Sequence, residues 1–412
     1  MSAYAGADAV GTDDRCTGIR SHSRQFVAAG HTEFFGQLNG VNVNVGVVGH
    51  DLSVKRTAFI PLYGSFEKTV RGQPRNFAIF VPVDCQHKEK RYNCPLALMH
   101  TLLSTVQSMR HFVTLSDITT EELQQILELA MTIKREFKQG KASAPLAGKV
   151  LAMIFEKQSL RTRVSFEAGM FQLGGTAMSL GSEIGFGKRE ATKDIAQVLS
   201  SMVDVIMFRA MEHKSVEDLA KYSTCPVING LTDQSHPCQA LADIMTIYEN
   251  FGRFEDINIA WVGDANNVAT SLLHAAAKLG MKMSVASPER FCFDEEKINK
   301  IIEEEALDGF ELDETRDPVS AVRDAHVVCT DVWVSMGQES EEEERKKVFA
   351  PYQVNGELLS KARSDAVFLH CLPARRGQEV TDEVMDSPQS RVVQQAENRL
   401  HAQKGLLVWL LR

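Results

Sequence analysis

The chain has 412 residues, more than one hydrophobic core usually serves, so two domains with an appendage are expected. An apolar content of 44% and a charged content of 24% are ordinary for a globular protein and exclude a fibre or a disordered chain. A formal charge of -9 without a Lys/Arg-rich block argues against nucleic acid as the partner, and the sequence has no run of about 18 apolar residues that would cross a membrane.

The charge is unevenly spread. Residues 1–108 carry about +3 and the remainder about -12, which marks a seam. The first segment alternates polar turns with short β-like runs, Val41 to Val48 and Phe77 to Val83, and has no helical period long enough to anchor a domain. Asp8, Asp13 and Asp14 sit badly in an organelle transit peptide, and no charged region leads into an apolar one, so a cytoplasmic location is expected. Eight cysteines without regular spacing or a C-x-x-C pair suggest neither a disulfide framework nor a zinc site, and no metal is expected.

The texture changes at Met109. Thr119 and Glu122 fit a capping box that opens a helix from Leu123 to Phe137, with Leu123, Ile126, Leu127, Ala130, Met131 and Ile133 along one face. Alternating segments follow: strand Val150 to Phe155, helix Thr162 to Leu173, strand Val205 to Phe208, helix Val216 to Tyr222, strand Val227 to Asn229 and helix Pro237 to Asn250. A break near Phe251-Gly252-Arg253 precedes strand Ile257 to Val262, helix Val268 to Leu279, strand Lys282 to Ala286, helix Glu295 to Glu305, and strands Val327 to Thr330 and Ala366 to Leu369. Such alternation predicts an α/β protein of two doubly wound parallel-sheet domains, with the active-site cleft between them at the strand C-termini, plus an unassigned N-terminal extension. The acidic run Glu341 to Glu344 is the one low-complexity stretch.

Ser159-Leu160-Arg161-Thr162-Arg163 follows an apolar strand and opens a helix. Free amides at a helix start bind anions, Ser159 and Thr162 add hydroxyls, and Arg161 can fork onto a phosphate. An N-cap serine beside solvated arginines explains the same peptide about equally well. Arg209 lies just past another strand, and His236-Pro237-Cys238-Gln239 opens the next long helix. Taken singly, such a His is usually inert. Three strand-end loops that each carry a phosphate- or carbonyl-directed donor are harder to ascribe to chance.

Gly263-Asp264-Ala265-Asn266-Asn267 enters a helix as dinucleotide folds do, but Ala265 and Val268 stand where G-x-G-x-x-G needs glycines, which excludes a nicotinamide cofactor. Asn267 can still offer an amide to a carboxylate. Asp331, at the start of Asp331-Val332-Trp333-Val334-Ser335-Met336-Gly337, suits a substrate ammonium, although loop aspartates commonly cap local amides. Cys371 in His370-Cys371-Leu372-Pro373 brings a thiol to the same rim, and a strand-end cysteine is more often buried and inert.

Taken together, from Met109 to Arg412, these motifs resemble the ornithine carbamoyltransferases of the aspartate/ornithine carbamoyltransferase family. The resemblance implies transfer of a carbamoyl group from carbamoyl phosphate to the δ-amine of L-ornithine, giving L-citrulline and phosphate in arginine biosynthesis. It implies that Ser159, Leu160, Arg161, Thr162, Arg209, His236 and Gln239 hold carbamoyl phosphate, joined by Arg399 from the last helix and by Cys371 and Leu372. Asn267, Asp331, Ser335 and Met336 match the ornithine-binding positions, and Cys371, Arg209, His236 and Asp331 the catalytic ones. No cofactor is expected, because phosphate is already a competent leaving group. A homotrimer is implied, with domains at 109–250 for carbamoyl phosphate and 251–388 for ornithine, and 389–412 as a helix returning to the first.

Two positions depart from the family pattern. Leu160 replaces the usual Thr and loses a hydroxyl while keeping the backbone amide; Ala265 replaces a Gly, a mild change if the local φ is negative. Residues 1–108 match nothing in the family, whose members commonly begin near a segment like Met109-Arg110-His111-Phe112, so a start placed too early is expected. The nearest alternatives are a carbamoyltransferase for putrescine, aspartate or an N-acylated ornithine, and a non-catalytic binding protein of the same fold. The Asp331 to Gly337 loop reads as a clamp for a free α-amino acid, which disfavours putrescine.

Overall fold

The structure, a computed structural model, describes residues 31–38, 41–48, 57–65, 76–84, 110–141, 143–181, 190–304, 310–335 and 338–412. It divides into two units, 1–105 and 106–412. In the first, strands β1 (His31–Leu38), β2 (Val41–Val48), β3 (Thr57–Ser65) and β4 (Asn76–Asp84) pair as an antiparallel meander in that order. The β-like runs at 41–48 and 77–83 correspond to β2 and β4.

In the second unit, helix α1 (Thr120–Lys138) opens on the expected capping box: Thr119 accepts from the Glu122 amide, and the Glu122 carboxylate accepts from the Thr119 amide. A parallel sheet follows, built from β5 (Val150–Phe155), β6 (Thr176–Leu180), β7 (Val205–Arg209) and β8 (Val227–Leu231) in the order β6-β5-β7-β8. Its helices are α2 (Leu160–Gln172), α3 (Thr192–Ser200), α4 (His213–Tyr222) and α5 (Pro237–Phe251), the last closed by Gly252 in the left-handed region.

A second parallel sheet has the order β11-β10-β9-β12-β13, from β9 (Asn258–Val262), β10 (Lys282–Ala286), β11 (Leu312–Thr315), β12 (Val327–Thr330) and β13 (Val367–His370). Around it lie α6 (Asn267–Lys278), α7 (Glu295–Glu304), α8 (Pro318–Val322), α9 (Glu342–Phe349), α10 (Gly356–Leu359) and α11 (Asp382–Met385). The closing helix α12 (Val392–Leu411) packs against α1, α2 and α5, elements of the first half.

Strand side chains alternate between layers, as the two-residue period requires. Leu151, Met153 and Phe155 of β5 share one large core with Ile259 and Trp261 of β9, while Ala152 and Ile154 face α3 and α4, and Ala260 and Val262 face a separate core beyond the second sheet. Strands buried on both faces read as unbroken apolar runs, which is why β5, β7, β9, β12 and β13 were visible in the sequence. The edge strands β6 and β11, partly exposed and polar, carried no such signal and were not foreseen; neither were α3 and α9. The acidic run at 341–344 leads into the first turn of α9, where negative charge suits the helix dipole.

The close approach of α12 to α1 depends on Gly405. A Cβ there would lie 2.7 Å from the Ile126 carbonyl oxygen and 2.8 Å from the Ala130 Cβ. Gly405→Ala is expected to force the helices apart and to destabilise the fold by about 1–3 kcal/mol. Thermal melting reads this directly, and an unchanged midpoint would show that the contact is not limiting.

Candidate active site

Each sheet reverses its strand order once, between β5 and β7 in the first and between β9 and β12 in the second, and a crevice opens beyond the carboxyl ends of strands at such a point. The four loops leaving those strands start at Glu156, Ala210, Gly263 and Asp331. Together they line one cavity of about 570 Å³.

On the side of the first sheet, Ser159 caps α2, its Oγ accepting from the Thr162 amide and donating to Thr162 Oγ1 at 3.1 Å. Arg399 arrives from α12, 3% exposed, and donates to Thr162 Oγ1 at 2.9 Å and to Gln239 Oε1 at 2.5 Å. Thr162 Oγ1 thus accepts twice, which leaves its own O–H as a donor. His236 precedes α5 and is fixed by its backbone amide, which donates to Ser271 Oγ of α6 at 2.8 Å. Its ring Nε2 lies 3.4 Å from Arg399, and its Nδ1 has no hydrogen-bond partner among the described residues. Burial and the cations Arg399, Arg209 and Arg161 hold His236 well below its ordinary value, so the imidazole is neutral. Burial, then repulsion from Arg399, pushes Arg209 down to about 10. Arg209, Arg399 and Arg161 line one side of the cavity and form a basin suited to a multiply charged anion.

The opposite wall is acidic. Asp331, 7% exposed, accepts at Oδ1 from the Cys371 thiol at 3.1 Å and from the Val332 amide at 2.8 Å, and at Oδ2 from Asn266 at 2.8 Å. Burial and Asp331 raise the Cys371 thiol well above its usual range, so it is a protonated donor to the carboxylate. Asn266 caps α6, accepting from the Val268 and Ala269 amides. Asn267, the residue singled out in the sequence, donates to the Thr232 carbonyl at 2.5 Å, which among the described residues leaves one amide hydrogen uncommitted. Ala265 is not in the positive-φ region, so the loss of a glycine costs nothing there, whereas Leu372 at the rim has φ +58, a strained value for a branched residue.

Every site residue expected from sequence lines this cavity except Met336, which lies outside the described residues. Leu160 is 75% exposed at the mouth. Sequence reasoning missed Asn266, although the first of two Asn before an apolar helix is the favoured N-cap. It also missed Arg345 of α9. This buried guanidinium donates to the Trp333 carbonyl and to Asp264, and stacks on Phe291 at 4.5 Å and Phe349 at 5.2 Å, tying the Asp331 loop to the loop after β9. Removing it would strand Asp264, whose carboxyl burial already raises to about 6. Arg345→Leu is therefore expected to cost about 3–5 kcal/mol of stability by chemical denaturation. A loss under about 1 kcal/mol would mean that Asp264 finds another partner.

Asp331, His370 and Cys371 bring potential metal-ligand atoms within 4.8 Å of one another. Both His370 nitrogens are engaged, Nδ1 accepting from the Leu372 amide at 2.9 Å and Nε2 facing Glu379 at 3.1 Å. A metal would have to break one of these bonds, so the donor set fits an ion poorly.

A cationic basin across one cleft from a carboxylate–thiol pair, both at the carboxyl ends of parallel strands, defines a two-domain α/β group-transfer enzyme. Residues 110–249 match the family model described as the aspartate/ornithine carbamoyltransferase carbamoyl-P binding domain, and 255–410 the one described as the Asp/Orn binding domain. Ornithine carbamoyltransferase of Anoxybacillus flavithermus is 52% identical over 303 residues, 73% of this chain and 96% of that one. The solved structure of ornithine carbamoyltransferase from Pyrococcus furiosus superposes with a TM-score of 0.70 at 53% identity, covering 73% of this chain and 96% of that chain, and the one from Thermus thermophilus with 0.66 at 42%, covering 74% and 99%. The chain belongs to the aspartate/ornithine carbamoyltransferase family.

Proposed function

We propose that this protein transfers the carbamoyl group of carbamoyl phosphate to the δ-amine of L-ornithine, forming L-citrulline and phosphate in arginine biosynthesis. One observation carries the reading: a basin of three arginines lies across a single cavity from the Asp331–Cys371 pair. An anionic donor and a cationic acceptor each find a complementary wall. Relatives named ornithine carbamoyltransferase, one of them from Pyrococcus furiosus named anabolic, support the choice of acceptor.

Residues 109–250 bind carbamoyl phosphate, 251–388 bind ornithine, and 389–412 return Arg399 to the first domain. The phosphate lies at the start of α2, on the amides from Ser159 to Thr162 and the Arg161 guanidinium, with Arg399 and Gln239 beside it. Arg209, Thr162 and the neutral His236 donate to the carbonyl oxygen, where charge develops as the amine attacks. Cys371 and the Leu372 carbonyl face the reacting groups. Asn267, Ser335 and Met336 hold the amino-acid end of ornithine, and Asp331 receives the δ-ammonium. The ammonium gives one proton to solvent, the free amine forms the N–C bond, the C–O bond to phosphate breaks, and the second nitrogen proton passes to the departing phosphate, which leaves on the arginines.

A homotrimer in the cytoplasm completes the proposal. Leu160, Val164 and Phe171 form an apolar stripe on α2, 75%, 53% and 81% exposed. A second copy covering it would sit beside the phosphate loop. Among the described residues, no helix is long and apolar enough to cross a membrane.

The deciding experiment is citrulline formation from carbamoyl phosphate and ornithine, run beside putrescine, aspartate and N-acetylornithine, with the full chain and a version starting at Met109. Turnover of ornithine alone is expected in both. Turnover of another amine would move the error to the Asp331 loop, and none at all would overturn the assignment.

A further inference from the structure

Asp243 lies on α5, one turn beyond Gln239, 2% exposed and away from the cavity wall. Its Oδ1 accepts from two side-chain amides, Gln239 Nε2 and Gln395 Nε2 of α12, each at 2.7 Å. Burial pushes this carboxyl up to about 6, and because both partners of Oδ1 are amide N–H groups, that oxygen serves as the acceptor for each. A shared acceptor forces both glutamines to turn their NH₂ toward it, and so fixes where their oxygens point. Gln239 Oε1 then meets Arg399, and Gln395 Oε1 accepts from the His370 amide at 2.9 Å.

The consequence is one continuous path. It runs from Ser159 and Thr162 at the phosphate loop through Arg399, Gln239, Asp243 and Gln395 to His370, the neighbour of Cys371. Its two ends belong to different sheets, and its middle is a single carboxylate that does not line the cavity. Arg399, the cation that faces Asp243, is the group at stake on one side, and Asp331 and Cys371 are the acid and the thiol on the other.

We infer that Asp243 is a positioning residue for carbamoyl transfer, whose carboxylate sets the orientation of both Gln239 and Gln395 and thereby aligns the phosphate-side Arg399 with the thiol-side turn at His370 and Cys371. This rests on the carbamoyl-transfer reading. Failure of that reading would appear as an inactive parent enzyme, whereas failure of this inference appears in the variants alone.

The test is steady-state kinetics of Asp243→Ala, Asp243→Asn, Gln395→Leu and the double variant Asp243→Ala/Gln395→Leu, with thermal melting to exclude unfolding. Asn can offer its oxygen at the Oδ1 position, so D243N is expected to stay within about tenfold of the parent. D243A should lose about 10²-fold in kcat/KM for carbamoyl phosphate, the scale of one misplaced oxyanion or phosphate donor. Q395L should lower kcat while leaving the KM for carbamoyl phosphate within about twofold. The double variant should be no worse than about threefold below D243A, because the two act through one path. If D243A does not fold, D243N and Q395L still decide. An Asn variant crippled by more than about 10²-fold, a Q395L enzyme with the parent's kcat, or single losses that multiply in the double variant would each overturn the inference.

Discussion

Asp331→Asn is expected to lower kcat/KM for ornithine by about 10²–10⁴-fold, the range a positioned acid–base group supplies. The substrate δ-amine resembles a lysine, with an unperturbed pKa of about 10.4, and arrives protonated at neutral pH. Asp331 is the carboxylate that receives it, and its acceptor sites are already oriented by Asn266, the Val332 amide and the Cys371 thiol. An Asn here presents NH₂ to groups that are themselves donors, so at least one of those contacts must break. The parent rate should climb about tenfold per pH unit between 6 and 8 as the free base becomes available. A profile that is flat from pH 6 to 9 would remove Asp331 and Cys371 from this role. Because the thiol is protonated, Cys371→Ser keeps a donor to Asp331 and should cost less than Asp331→Asn.

Arg161→Gln should cost about 10²–10³-fold in kcat/KM for carbamoyl phosphate, since a charged fork at the start of α2 is lost just where the leaving phosphate gathers charge. Its neighbour Arg163 is the internal control. That side chain is about half exposed and pairs with Glu167 at 2.9 Å on the outer face of the same helix, so Arg163→Gln should stay within about twofold. Equal losses at 161 and 163 would mean that α2 answers to bulk charge and does not bind phosphate at its first turn.

The contrast between these two arginines marks the limit of what the sequence could tell. Ser159-Leu160-Arg161-Thr162-Arg163 announced a helix start after a buried strand, because a capping serine and an unbroken apolar run are local signals. The alternating elements, the capping box at Thr119 and the strand-end placement of Arg209, Asp331 and Cys371 were legible for the same reason. Arg161 was named there as the phosphate arginine and does line the cavity, whereas the outward turn of Arg163 toward Glu167 depends on how α2 is rotated against β5 and α12, which packing fixes.

Contacts between distant segments were out of reach in the same way. Arg345 lies 81 residues from Asp264, and Gln395 lies 152 from Asp243. Neither has a signature in its own neighbourhood, since a lone Arg in an acidic run and a Gln in a closing helix are ordinary surface residues by composition. Their roles exist only because the second sheet reverses at β9 and β12 and α12 crosses back to the first half. The sequence by itself determined the buried central strands, the capped helix starts at Thr119 and Ser159 and the donor types available at each loop, because these follow from local periodicity and capping. The tertiary structure alone decided which donors converge, because convergence is set by sheet order and by the rotation of packed helices.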